Sequence, residues 1–289
     1  MRRLLVSVVA CLSTVLLLTP NVARADGDAT TVAQCLKVAP TQTLVKGKLT
    51  IATDNPVTPP WFVNNQPSNQ KGFESALAYA LASTLGFTPA KVNWVTEHFA
   101  TSFQPGAKPF DFDINEITVT PDKLKNVAFS NSYFQLRQSV VALKGSPIVK
   151  HHTPKDLRRD VFGALTNSPA LAYVTDAIEP DAAVRAFATL NDAVTALRSG
   201  AIDAIVVDTP TGNVLVNWQI LSSTGAPSAT QVGQFLAVGN EYYGLLFQLK
   251  NPLLACVNTA LGKLSTNGTL TSLTKKWLSI YTSIPTLQP

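Results

Sequence analysis

The stretch FDFDINEITVTPDK, residues 110–123, carries the strongest fold signal in the chain. Its first five residues alternate apolar and polar side chains, which is typical of a β-strand. A polar cluster at 115–118 follows, and then Thr-Pro-Asp at 120–122, a helix-start signal with Lys123 in the first turn. Ligands of open α/β sheets bind outside the carboxyl ends of the strands. The stretch therefore predicts a site for a small polar molecule; the alternative is an exposed loop and a helix with a solvated lysine.

Strand and helix patterns alternate on both sides of this stretch. Residues 48–52 and 92–95 read as strands, and the stripe of apolar residues within 73–85 reads as a helix between them. A second set of strand and helix patterns runs from 138 to 208. This order predicts an α/β fold with mixed, mostly parallel sheets flanked by helices. Two such sets predict two lobes, and the cleft between them is a common kind of ligand site.

The N-terminus has the pattern of a secretory signal peptide. Two arginines precede an apolar run from Leu4 to Leu18, and a small-x-small cleavage site follows at 23–25. The run is shorter than the roughly 20 residues that a spanning helix needs. We therefore predict a signal peptide over 1–25, an extended leader over 26–45, and export to the periplasm or the cell exterior.

Composition excludes several classes of function. Removing the signal peptide takes three arginines from the 23 basic residues, which leaves 20 against 18 acidic residues, so nothing favours nucleic acid as a partner. No Gly-x-Ser-x-Gly, phosphate-binding loop or dinucleotide fingerprint occurs, and the three histidines form no convergent pair. We expect no catalytic residue, no cofactor and no metal, in a protein that is a monomer.

Two cysteines remain after export, Cys35 and Cys256. An oxidising compartment favours one disulfide between them, which would tie the N-terminal segment to a late helix. The alternative is two unrelated buried thiols. A zinc site would need more ligands than two distant cysteines supply.

Five segments together resemble the extracytoplasmic solute-binding proteins of ABC importers, in the family that serves polar amino acids. Their order and spacing carry the resemblance, which runs from about Lys46 to Ile280. The segments are KGKLTIATDNPVTPPWF, GFESALAYALASTLGF, FDFDINEITVTPDKLKNVAFSNSYF, RSGAIDAIVVDTPTG and LACVNTALGKLSTNGTLTSLTKKWL.

The resemblance implies a periplasmic-binding-protein-like fold with two hinge strands. Lobe 1 would comprise 46–135 and 241–289, and lobe 2 would comprise 136–240. It also implies that a small polar ligand, an amino acid or amine, is captured by hinge closure and delivered to a membrane permease. The family's ligand groups correspond to eight positions here. Trp61 would be the aromatic platform, Asn115, Glu116 and Thr118 the polar triple, and Lys123 the cation. Asn167 and Ser168 would be the second polar pair, and Asp208 the acid.

Some of these positions depart from the family pattern. Lys123 stands where the family carries an arginine that grips a carboxylate with two parallel hydrogen bonds, and lysine offers only a point charge. Pro169 removes a backbone donor from a helix start. Glu116 and Asp208 together would favour a cationic or amine-bearing ligand, unless Glu116 pairs with Lys123. Alternatively, Asp208 caps a turn, and Trp61 only packs between lobes.

Two other functions fit the same scaffold. One is an enzyme similar to cyclohexadienyl dehydratase, in which Glu116 or Lys123 would act as general acid. The other is a sensor or scaffold whose pocket has changed. Turnover of prephenate or arogenate, against simple saturable binding, separates the first from a transport protein.

Overall fold

A computed structural model of the protein describes residues 31–166, 168–236 and 241–287. The predicted signal peptide and the first residues of the predicted leader lie outside these ranges. The described chain confirms an α/β fold with two five-stranded sheets flanked by helices. None of the described helices has the length and apolar character needed to cross a membrane.

The strands are β1 (Leu49–Thr53), β2 (Val92–Thr96), β3 (Phe112–Asp113), β4 (Val127–Gln135), β5 (Arg137–Leu143), β6 (Phe162–Leu165), β7 (Arg185–Phe187), β8 (Ala204–Asp208), β9 (Ala229–Leu236) and β10 (Tyr242–Gln248). The helices are α1 (Val32–Gln42), α2 (Phe73–Thr84), α3 (Phe99–Ser102), α4 (Pro154–Leu157), α5 (Pro169–Tyr173), α6 (Leu190–Arg198), α7 (Thr209–Val214), α8 (Leu254–Thr266), α9 (Thr269–Trp277) and α10 (Ser279–Thr282). Two π-helical segments, Val174–Ile178 and Leu215–Gln219, continue α5 and α7.

Each sheet has four strands that run in one direction and one that runs against them. The first sheet, with its helices, is lobe 1; its order is β2-β1-β3-β10-β4, and β10 is the reversed strand. The second sheet, with its helices, is lobe 2; its order is β7-β6-β8-β5-β9, and β5 is reversed. All five residues of β1 are buried, because it lies inside its sheet and packs into one apolar cluster through Leu49 and Ile51 and into another through Ala52. The prediction of mixed, mostly parallel sheets is confirmed.

The chain passes between the lobes at more than one point. It leaves β4 and enters β5 through Leu136, and it returns from β9 to β10 through 237–240, which lie outside the described ranges. The C-terminal segment crosses as well: Thr286 bridges to Gln234 of β9, and the Leu287 amide donates to the Gln234 carbonyl at 2.9 Å. Leu287 is buried in the core of lobe 2. Residues 285–287 therefore depart from the assignment of 241–289 to lobe 1.

The predicted extended leader contains a helix, α1. Thr31 caps it: its hydroxyl accepts from the Gln34 amide at 3.2 Å, while the Gln34 side chain accepts from the Thr31 amide at 2.6 Å. The predicted disulfide is confirmed, with Cys35 and Cys256 joined and their Cα atoms 5.3 Å apart. It fastens α1 to α8. The prediction of an extended conformation here was wrong, because capping and the disulfide stabilise a helix in a weakly patterned segment.

The central stretch also differs from its prediction. Only Phe112 and Asp113 form the strand, since the neighbouring Asp111 carboxylate accepts from the Thr50 and Leu44 amides at 2.7 and 2.6 Å. The helix predicted from Pro121 is a single 3₁₀ turn, Lys123–Lys125. The helix ends there because Val127 begins β4, whose pairing with β10 takes over the backbone hydrogen bonds.

Candidate functional site

A cavity of about 890 Å³ lies between the two lobes. We call it the interlobe cavity. Lobe 1 contributes loops that follow β1 and β3, and lobe 2 contributes the first turns of α5 and α7. Residues of the crossing segments, including Leu136 and Gln138, line it from the hinge side. The arrangement places the carboxyl ends of strands from both sheets around one hollow, as the sequence predicted.

Glu116 lies at the lobe 1 side of the cavity, in the loop after β3, and its own φ is positive (50°). Its amide donates to Oε1 of Glu74 at 2.8 Å, and the Tyr133 hydroxyl donates to the same oxygen. Glu74 is fully buried, and burial raises its pKa to about 7 despite the two donors. Burial, and then the charges of Glu74 and Asp208, raise the pKa of Glu116 well above its usual range.

Asp208 lies at the lobe 2 side, at the end of β8. Its carboxylate caps α7, accepting from the Thr211 amide at 2.9 Å and from the Thr211 hydroxyl at 2.7 Å. Burial raises its pKa, and the two Thr211 hydrogen bonds oppose that rise. The capping role and the cavity position, which the sequence offered as alternatives, occur together. Glu116 and Asp208 are thus brought to one hollow from different lobes.

A third acid, Glu241, was not predicted from the sequence. It lies at the junction of the lobes, where its carboxylate accepts from the Gln138 amide nitrogen at 2.7 Å and its carbonyl accepts from the Leu136 amide at 2.9 Å. Burial, and after it the charge of Asp208, raises the pKa of Glu241. The sequence did hold a signal for Glu241, because it is an acid at the predicted boundary between the lobes, where residue 240 ends lobe 2 and residue 241 begins the second part of lobe 1.

Aromatic side chains form the floor of the cavity. Trp61 is 3% exposed, and its ring centroid lies 5.6 Å from that of Tyr243 and 5.9 Å from that of Tyr281. Its loop is held against α2, because the Glu74 amide donates to the Trp61 carbonyl at 3.0 Å. Gly72 allows this approach: its φ is +97°, and a Cβ there would lie 2.3 Å from that carbonyl oxygen. Trp61 therefore packs in the core and also lines the cavity.

Trp218, which the sequence did not single out, lines the lobe 2 wall. It is 76% exposed, on the π-helical segment after α7. An exposed tryptophan at the mouth of a cavity is available to a ligand or to the opposite lobe.

The other predicted polar residues divide between two cavities. Thr118 and Ser168 line the interlobe cavity, and the Ser168 hydroxyl accepts from the Leu171 amide at 3.2 Å as the cap of α5. Asn115 lines instead a neighbouring cavity of about 330 Å³, to which Glu116 also belongs. Asn167 lies outside the described residues. The structure thus brings Thr118 and Ser168 to the interlobe cavity and places Asn115 in the neighbouring one.

Lys123 is not among the described residues that line the interlobe cavity. Its ammonium donates to the Thr118 carbonyl at 2.8 Å and lies 5.6 and 5.1 Å from the ring centroids of Phe99 and Phe103. Burial lowers its pKa. The predicted grip on a ligand carboxylate does not match this placement, because the carbonyl and the two rings hold the ammonium at a position outside the lining of the cavity. Lys123 is half-buried, so the alternative of a fully solvated lysine does not describe it either.

Among known proteins, the chain is 27% identical over 223 residues to the L-cystine-binding protein TcyJ of Escherichia coli (strain K12), covering 76% of this chain and 78% of that protein. It is 28% identical over 178 residues to the ABC transporter glutamine-binding protein GlnH of Bacillus subtilis (strain 168). The chain spans 58% of the length of GlnH.

Solved structures of the ancestral protein AncCDT-1 are also similar. One, of an ancestral cationic amino acid solute binding protein, has a TM-score of 0.53 at 25% identity and covers 86% of this chain and 99% of that one. Another, of AncCDT-1 as a precursor of cyclohexadienyl dehydratase, has a TM-score of 0.50 at 26% identity and covers 84% and 98%.

A protein-family model spans most of the chain. It is the model of the bacterial extracellular solute-binding proteins, family 3, and it matches residues 49–280. The match includes both sheets, the loops that carry Trp61 and Glu116, and Asp208 at the end of β8. The chain belongs to family 3 of the bacterial extracellular solute-binding proteins.

Proposed function

We propose that this protein is the solute-binding component of an ABC importer. It is exported to the periplasm or the cell exterior, where it works as a monomer. Two lobes close over an amino acid or a related small polar amine, and the closed protein delivers that ligand to a membrane permease. Hinge closure of this kind is one of the standard conformational changes of two-lobed binding proteins.

The observation that carries the proposal is the meeting of Glu116 and Asp208 in one cavity. Glu116 comes from the loop after β3 and Asp208 from the end of β8, so a ligand bound to both carboxylates would link the two lobes. Their charges interact, since Asp208 contributes to the raised pKa of Glu116. A bound ammonium would relieve that repulsion in the closed protein. Relatives described as binding glutamine and L-cystine support a ligand of this size.

We propose further that the protein is not an enzyme. The observation that favours an enzyme is the buried pair Glu74 and Glu116, because a carboxyl group with a raised pKa can serve as a general acid. The description of AncCDT-1 as a precursor of cyclohexadienyl dehydratase adds to that alternative. Lys123, the other general acid considered, is not among the described residues that line the cavity. Incubation with prephenate and arogenate, followed by chromatography of products, tests it: turnover would overturn the proposal.

The test of binding is to purify the exported protein without denaturation, release any small molecule with acid, and identify it by mass spectrometry. The identified compound, added back, should lower the radius of gyration in small-angle X-ray scattering, because the lobes close. The Asp181→Asn variant, which removes one exposed carboxylate from lobe 2, should close on the compound as wild type does. Absence of any small molecule, together with silence in calorimetry across amino acids and amines, would favour a sensor or scaffold instead.

A further inference from the structure

The charges that line the interlobe cavity are of one sign. Its ionisable acids are Glu116, Asp208 and Glu241, and no Lys, Arg or His occurs among the described residues of its lining. Lys123, the cation that the sequence placed here, has its ammonium on the Thr118 carbonyl and two phenylalanine rings. The cavity therefore offers several carboxylates and no cationic side chain from the described chain.

The three acids have no ionic partner within the described residues. The ion pairs of the described chain involve other acids, at Asp54, Asp122, Asp160, Glu179 and Asp181. Glu241 accepts from an amide and Asp208 from an amide and a hydroxyl, so their hydrogen bonds come from neutral groups and bring no positive charge. Carboxylates that share a cavity without a counter-charge are costly to ionise, and a bound cation lowers that cost.

The walls suit the rest of an organic cation. Trp61, Tyr243 and Tyr281 form a buried aromatic floor, and Trp218 stands exposed at the opposite wall. Aromatic faces attract ammonium groups and also bury carbon chains. The cavity thus combines acids for the charged end of a ligand with aromatic surface for its apolar part.

A carboxylate on the ligand would find the opposite environment. It would enter a cavity lined by three acids, and like charges brought together across a binding site oppose binding strongly. The start of α5 gives little relief, because Pro169 has no N–H and the Ser168 hydroxyl already caps the helix. Only neutral donors, such as the hydroxyls of Thr118 and Ser168, would remain for it.

We propose that the ligand is an organic cation without a free carboxylate, an amine or guanidine of the kind formed when an amino acid loses its carboxyl group. This inference rests on the proposed function and narrows it, since it names the ligand class of the same cavity. Glu116 and Asp208 hold the cationic end from the two lobes, and Glu241 adds negative charge at the hinge.

Matched ligand pairs test the proposal by isothermal titration calorimetry on the full exported chain. The pairs are lysine with cadaverine, arginine with agmatine, and tyrosine with tyramine, and each differs by one carboxylate. We expect at least one amine to bind ten times or more tightly than its parent amino acid. In the Glu241→Gln variant that preference should shrink, because one of the repelling charges is gone; Asp181→Asn, an exposed lobe 2 acid, should leave it unchanged.

Tighter binding of the parent amino acids would overturn this inference and leave the proposed function standing. The same holds if the co-purified compound found by mass spectrometry carries a carboxylate. Silence of every pair, with no co-purified compound, would overturn the proposed function and this inference with it. The three outcomes are therefore distinguishable.

Discussion

Glu74 gives a prediction that needs no ligand. Its carboxyl group is fully buried, with Oε1 accepting from the Tyr133 hydroxyl and the Glu116 amide, and Oε2 without a hydrogen-bond partner in the described structure. Glutamine has nearly the same shape, and its amide oxygen can accept from both donors. Glu74→Gln therefore keeps the two hydrogen bonds that hold the Glu116 loop and removes only the ionisable group.

The size of the effect follows from the pKa. Burial raises the pKa of Glu74 from its usual 4.5 to about 7. Between these values the unfolded chain has released the proton and the folded chain has kept it, so wild-type stability falls as pH rises and the loss is complete above pH 7. At about 1.36 kcal/mol per pKa unit, the variant should gain about 2 to 3 kcal/mol over wild type between pH 5 and pH 8. Glu74→Gln also removes a negative charge beside Glu116, which adds to the gain in stability.

Urea denaturation followed by tryptophan fluorescence at pH 5 and pH 8 measures this difference. Glu179→Gln is the control, because it removes the same type of acid from a side chain that is 63% exposed. The gain of Glu74→Gln over wild type between the two pH values should exceed any such change in Glu179→Gln. If the free energy of unfolding changes by the same amount from pH 5 to pH 8 in Glu74→Gln and in wild type, Glu74 does not hold a proton in the folded state and the reasoning is refuted.

Three further predictions concern the frame of the site. Replacing Cys35 and Cys256 by serine should lower the free energy of unfolding by about 2–5 kcal/mol, because the disulfide spans 221 residues; unchanged denaturant midpoints would contradict this. Gly233→Ala would place a Cβ 2.4 Å from Leu287, so we expect the free energy of unfolding to fall by about 1–3 kcal/mol and the Leu287 amide to exchange faster with solvent. Normal protection of that amide would count against the crossing of residues 285–287 to lobe 2. Lys123→Met should leave ligand affinity in calorimetry unchanged, and a large loss would return Lys123 to the site.

The sequence predicted well wherever local pattern and tertiary structure agree. The apolar stripe of α2 and the fully buried β1 became core elements because nothing competes with their local patterns. The pairing of Cys35 with Cys256 followed from export and from there being two cysteines after cleavage. Glu116 and Asp208 reached one cavity because one follows β3 and the other ends β8, and the carboxyl ends of both strands face the same cleft.

The remainder depended on contacts distant in sequence. The turn after Pro121 had a correct helix-start signal, but β10, more than a hundred residues later, draws the chain into β4 instead. Glu74 read as an ordinary acid in the first turn of a helix, and only the packing of α2 against Tyr133 and the Glu116 loop shows it buried. The orientation of Lys123 toward Phe99 and Phe103 could not be inferred from spacing, because side-chain direction is set by neighbours on another segment.

The most direct test of the account is the affinity of the Asp208→Asn variant for the tightest-binding amine. Asparagine is as good a helix cap as aspartate, so α7 should remain capped while the negative charge is lost. We predict a loss of about 2 kcal/mol or more, roughly 30-fold in Kd, because the ligand cation loses one of its two lobe-spanning partners. Asp181→Asn should bind like wild type. Equal affinity of Asp208→Asn and wild type, with both folded, would contradict the claim that acids from both lobes hold one cationic ligand.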